Sequence, residues 1–74
     1  MELIGDVLKN IRVAKQMKRY ELAMKSGITE TQITNIEKNI SVPGVITLFK
    51  LSQALEYDYS RLYDILQENL KRRK

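Results

Sequence analysis

The apolar positions of this chain recur at helical spacing from one end to the other. Ile4, Leu8, Ile11 and Ala14 fall on one stripe, with Leu3 and Val7 widening it, and predict a first helix over 3–17. Leu22 and Ala23 are the inward pair of a second helix over 19–26, and Ile33 and Ile36 mark a third over 30–38. Leu48, Leu51, Ser52 and Leu55 supply the core face of a fourth over 44–55. Tyr59, Leu62, Tyr63, Leu66 and Leu70 line a fifth over 59–71, capped by Asp58 or Ser60, with Ile65 to one side. The expected architecture is all-α, a compact five-helix domain over residues 1–70 followed by a basic tail, 71–74. There are no repeats, low-complexity segments or interior linkers.

The chain is organised around Lys18–Asn39, two short helices joined by a tight turn. Gly27 stands where the chain must bend, and glycine accepts left-handed backbone angles that other residues resist. Ile28 follows as an apolar plug. Thr29 is a good N-cap, since its hydroxyl can accept from an orphan amide, and Glu30 suits the positive end of the next helix dipole. That helix has two faces. Ile33, Ile36 and Glu37 lie on one, and Glu30, Thr31, Thr34, Asn35 and Lys38 on the other. The outer face is short and polar, so the helix could lie close to another surface and still bond to it.

Leu22-Ala23, Gly27-Ile28-Thr29, Ile33, Ile36-Glu37 and Pro43 together resemble the helix-turn-helix of the phage repressor/Cro-like family, the XRE regulators. The resemblance extends through Ile4-Gly5, Leu8 and Ile11-Arg12 before the motif and through Leu48, Leu51, Ala54-Leu55 and Leu62 after it, roughly residues 4 to 63. It implies a lambda-repressor-like fold and sequence-specific binding of double-stranded DNA, with the third helix in the major groove. Glu30, Thr31, Thr34 and Asn35 are then the base-contact candidates, and Lys18, Arg19, Gln32, Lys38 and Asn39 the phosphate-contact candidates, Gln32 the weakest because it points sideways. Arg12 is expected to form a partly buried structural ion pair with Glu37, holding the first helix against the third.

Several positions depart from the family pattern. Lys18 stands where Ser or Thr usually caps, and lysine cannot cap, a loss of about 1 kcal/mol. Arg19 replaces a glutamine that reaches the DNA backbone and can still bind phosphate, bidentately. Asn39 replaces a glycine and is the best non-glycine residue for a left-handed helix end. The loop Ile40-Ser41-Val42 lacks the basic residue that often contacts DNA there, and Gly44 stands in for a capping Ser or Thr. Glu56 replaces another helix-ending glycine, so its backbone must avoid the left-handed region or be strained.

Ile46 and Phe49 exceed what a four-helix core needs, and Leu66 and Leu70 lie past the end of the family's minimal core. Phe49, Tyr59, Tyr63, Leu66 and Leu70 are therefore the expected homodimer interface, preferred over folding back on the first helix. A homodimer would present two recognition helices about 34 Å apart to a palindromic operator.

Composition narrows the rest. Seventy-four residues make one domain, which buries only about 60% of its unfolded surface and is stable by a few kcal/mol. Thirteen basic residues against nine acidic give +4, but Lys71-Arg72-Arg73-Lys74 are all basic, so the body is neutral and the basic balance belongs to the tail. The absence of Cys and His removes disulfides, the usual transition-metal ligands and any Ser–His nucleophile, and no Gly-rich phosphate loop occurs. No enzyme, metal or cofactor is expected. No apolar run approaches membrane-spanning length, so a soluble, cytoplasmic protein is expected.

A rival reading is a protein-interaction module on the same fold, anti-repressor or antitoxin-like, with weak or lost DNA binding. The neutral body, acidic Glu30 and missing loop cation favour it, and the short polar face of the third helix disfavours it. Antitoxin or restriction-control regulation would be a DNA-binding variant of the first reading, with room for a regulatory protein partner.

Overall fold

Amphipathic helices this short gain their stability by burying their apolar stripes against one another. The chain does so with five: α1 (Ile4–Ala14), α2 (Arg19–Ser26), α3 (Glu30–Glu37), α4 (Val45–Leu55) and α5 (Tyr59–Arg72). The structure is a computed structural model and describes residues 2–72, among which no strand occurs. α1 packs on α3 and α5, α2 on α3 and α4, and α4 on α5. Their shared core contains Leu8, Leu22, Ile33, Leu48, Leu55 and Leu62, all fully buried, and each such side chain contributes roughly 1.5–3 kcal/mol relative to exposure.

The turn between α2 and α3 follows from three residues. Gly27 ends α2 with φ +76° and donates its amide to the Ala23 carbonyl at 2.9 Å. Ile28 is buried beside it, its amide bonded to Ser26 Oγ. Thr29 then caps α3: its hydroxyl accepts the Gln32 amide at 3.2 Å, while Gln32 Oε1 accepts the Thr29 amide at 3.3 Å. This reciprocal arrangement satisfies two orphan donors. At α2, Lys18 has no capping side chain, but the Glu21 carboxylate accepts the Lys18 amide at 2.9 Å and supplies the half of the box that lysine leaves intact.

α1 stops at Ala14, short of the expected 17, because Gln16 turns left-handed (φ +56°). The Met17 amide then bonds back to the Arg12 carbonyl at 3.1 Å, closing the helix end, and Ala14 is left exposed. Glu56 ends α4 in the left-handed region (φ 52°, ψ 48°), the strained alternative of the two that its side chain allowed. Asp58, not Ser60, caps α5, its Oδ1 accepting the Ser60 amide at 3.0 Å.

The placement of α5 corrects one expectation. Leu66 is 2% exposed and belongs to the core, so it is not available as an interface residue. The buried line of α5 is Leu62, Leu66 and Asn69, and Leu70 lies off it, half exposed. Lys71 and Arg72, assigned to the basic tail, belong to α5; the rest of that tail lies outside the described residues.

Candidate nucleic-acid interface

α3 sits on the body through Ile33, Ile36 and Glu37, all buried. Its opposite side carries Glu30 and Thr31, exposed, and Thr34 and Asn35, half-buried, with Lys38 and Asn39 exposed just beyond its end. The side chains of Thr31, Thr34 and Asn35 make no hydrogen bond to any described residue, and no buried polar side-chain atom lacks a partner among them. Their donors and acceptors are turned outward, as are those of Glu30. Gln32 differs from these four: its Oε1 is occupied by the Thr29 amide and hydroxyl.

The inner end of α3 is fixed by charge. Arg12 of α1 donates from Nε to Glu37 Oε2 at 2.6 Å and from Nη2 to Oε1 at 3.0 Å, and its Nη1 reaches the Met17 carbonyl at 2.8 Å. The Glu37 side chain is almost fully enclosed. Burial alone pushes its carboxyl pKa up. Hydrogen bonds from Arg12 and then Arg19, with their charges, outweigh that and hold it below the ordinary carboxylate value.

Arg19 is the unexpected member. The resemblance implies a phosphate contact for Arg19, as for Lys18, yet its Nε donates to Glu37 Oε1 at 2.9 Å. One carboxylate thus holds two guanidinium groups, and α1, α2 and α3 meet at it. Lys18 remains exposed beside it.

Asn39 also has work inside the fold. Its backbone is left-handed (φ +60°), its Oδ1 accepts the Gly5 amide at 3.1 Å, and its Nδ2 donates to Asp6 Oδ1 at 2.8 Å. Both amide atoms are engaged by α1, so the side chain is withdrawn from the phosphate-contact set. No local spacing pointed to this bond, since its partners are 34 positions apart.

On the far side of the body, Phe49 and Tyr59 meet edge to face with ring centroids 5.5 Å apart, and Tyr59 stacks on Tyr63 at 5.7 Å. Phe49 is 48% exposed and Ile46 69%, with Val45 beside them half exposed. The described residues form an apolar surface on α4 and α5 there, and no helix among them is long and apolar enough to cross a membrane.

Comparison with known proteins agrees with this geometry. No curated protein matches the chain in sequence. Among solved structures, the restriction-modification controller protein C.AhdI from Aeromonas hydrophila superposes with a TM-score of 0.76 at 25% identity, over 80% of this chain and 89% of that one. A mutant of the restriction-modification controller protein C.Esp1396I superposes with a TM-score of 0.76 at 31% identity, over 95% of this chain and 92% of that one. An HTH_3 family transcriptional regulator from Vibrio cholerae gives 0.78 at 27% identity, covering 84% of this chain but 35% of that longer one. The HTH_3 helix-turn-helix family model matches residues 8–62. With the match spanning α2, the turn and α3 and most of the body around them, the chain belongs to the HTH_3 helix-turn-helix family, the XRE-type regulators.

Proposed function

We propose that this protein is a small transcriptional regulator of the repressor/Cro-like kind that reads double-stranded DNA with α3 in the major groove. The observation that carries the reading is the outer face of α3. Thr31, Thr34 and Asn35 share it with no side-chain partner among the described residues, while their neighbours Gln32 and Glu37 are bonded internally. Polar groups left unpaired on one short helix face are suited to base edges. Asn35 can take adenine bidentately, Thr31 or Thr34 can meet a thymine methyl, and Glu30 can accept from a cytosine amino group. Lys18, Arg19 and Lys38 would hold the sugar-phosphate backbone and set the register.

The apolar surface of Phe49, Tyr59, Tyr63 and Leu70, widened by Val45 and Ile46, is the proposed homodimer contact. It would place two copies of α3 about 34 Å apart on a palindromic operator. The protein acts by binding, in the cytoplasm, without catalysis. Its likeness to two restriction-modification controllers supports a controller-type role.

Titration of the purified chain with duplex DNA at two salt concentrations tests the reading. Binding that weakens steeply with salt is expected, because each neutralised phosphate releases counterions. Absence of duplex binding, or binding indifferent to salt, would favour the protein-interaction module, for which acidic Glu30 and the uncharged loop Ile40-Ser41-Val42 speak.

A further inference from the structure

We infer that Glu37 is a positioning residue for the DNA backbone: it grips Arg19 by Nε and leaves the fork of Nη1 and Nη2 presented to a phosphate. This rests on the DNA-binding reading above.

Arg12 already engages both oxygens of the carboxylate and spends its remaining nitrogen on the Met17 carbonyl. Arg12 alone neutralises Glu37 and is itself enclosed. Arg19 is therefore a surplus cation at this junction, and the three groups together carry a net positive charge. Its side chain is 31% exposed, and neither terminal nitrogen bonds to a described residue.

A guanidinium has five N–H groups in a rigid plane. With Nε engaged on one edge, the end edge still offers two parallel donors, the geometry that matches phosphate bidentately. A free surface arginine loses much of its rotamer freedom when it is fixed. Anchorage at Glu37 incurs that loss on folding, before DNA arrives, which favours binding. Lysine would serve differently. Its ammonium is a compact point charge without the planar fork, so it cannot hold Glu37 on one edge and take a phosphate bidentately on another.

The test uses a mixed-sequence duplex of about 20 base pairs, since backbone contacts need no operator. Affinity is measured against salt for the wild type, Arg19→Lys and Arg19→Gln, with thermal melting to show that each variant is folded. Both variants should bind about tenfold more weakly, and the slope of log affinity against log salt should fall by about one, the loss of one phosphate contact. Wild-type affinity in Arg19→Lys would show that charge alone suffices and overturn the fork. Wild-type affinity and slope in Arg19→Gln would show that Arg19 serves only the ion pair.

A second measurement needs no variant. In the wild-type NMR spectrum, adding the duplex should shift the Arg19 Nη signals and leave its Nε–H bonded to Glu37. Release of that Nε–H on binding would overturn the positioning role. If the wild type binds no duplex at any salt, the DNA-binding reading itself fails, an outcome distinct from all of these.

Discussion

Asn69 Oδ1 accepts the Ile4 amide at 2.7 Å, a bond across 65 positions of the chain that caps α1 from α5. Leu3 precedes α1 and has no side chain able to cap. Asn69 satisfies the amide instead, and its Nδ2 donates to the Glu2 carbonyl at 2.8 Å. The two ends of the described chain are thereby joined. Asn69→Ala should cost about 1–3 kcal/mol, because Ile4 is buried and its amide would lose this side-chain partner. Asn69→Asp keeps the acceptor, adds a charge suited to the helix N-terminus, and should cost less. Thermal melting checks the order, at about 4–8 °C per kcal/mol for a domain this size.

Gly5→Ala should also destabilise, against the ordinary helix preference for alanine of about 1 kcal/mol. A Cβ at Gly5 would meet the Ile36 carbonyl oxygen and Asn39 Oδ1, so α1 could no longer lie against the end of α3. The expected net loss is about 1–3 kcal/mol, read by urea unfolding. A stabilised Gly5→Ala would show that α1 and α3 do not approach this closely.

Two helix ends separate backbone strain from side-chain bonding. Glu56 and Asn39 are both left-handed, with φ 52° and 60°. Glu56→Gly relieves strain and should stabilise by about 1 kcal/mol. Asn39→Gly relieves similar strain but removes the bonds to Gly5 and Asp6, and should destabilise by about 1 kcal/mol. Unfolding midpoints moving in opposite directions are the expected result.

Caps of this kind join residues that are distant in sequence and leave no local pattern. The apolar stripes exposed the all-α class and the core from Leu8 to Leu62, because 3.6-residue periodicity is a local signal. The α5 stripe, however, runs Leu62, Leu66, Asn69, and a polar last member is invisible to hydropathy, so the apolar pattern points to Leu70 instead and leaves Leu66 looking like an interface residue. Likewise Arg19 and Asn39 looked like free polar groups at the surface. Their partners, Glu37 and Gly5, lie 18 and 34 positions away, and only packing brings them together. The outer face of α3 was legible because it faces away from all such contacts.

The Glu37 junction gives stability an acid limb. Its carboxyl pKa is lower in the fold than the ordinary value of about 4.3 in the unfolded chain. The stabilisation is therefore fully present above the ordinary value and is lost as pH falls through the lower, folded one. Unfolding midpoints measured from neutral pH down to about 3 should decline in that window. Glu37→Gln leaves two guanidinium groups without their carboxylate. It should cost about 3–5 kcal/mol and flatten the decline.

Selection of binding sites from a random duplex pool, followed by sequencing, with wild type and Asn35→Ala run together, shows whether the outer face of α3 reads bases. The wild type should enrich a palindrome with half-sites about one helical turn apart. Asn35→Ala should bind the same palindrome with one position per half-site relaxed, a loss of about 1–3 kcal/mol there. An unenriched wild-type pool, or an identical palindrome from Asn35→Ala, would contradict the claim that the outer face of α3 reads DNA.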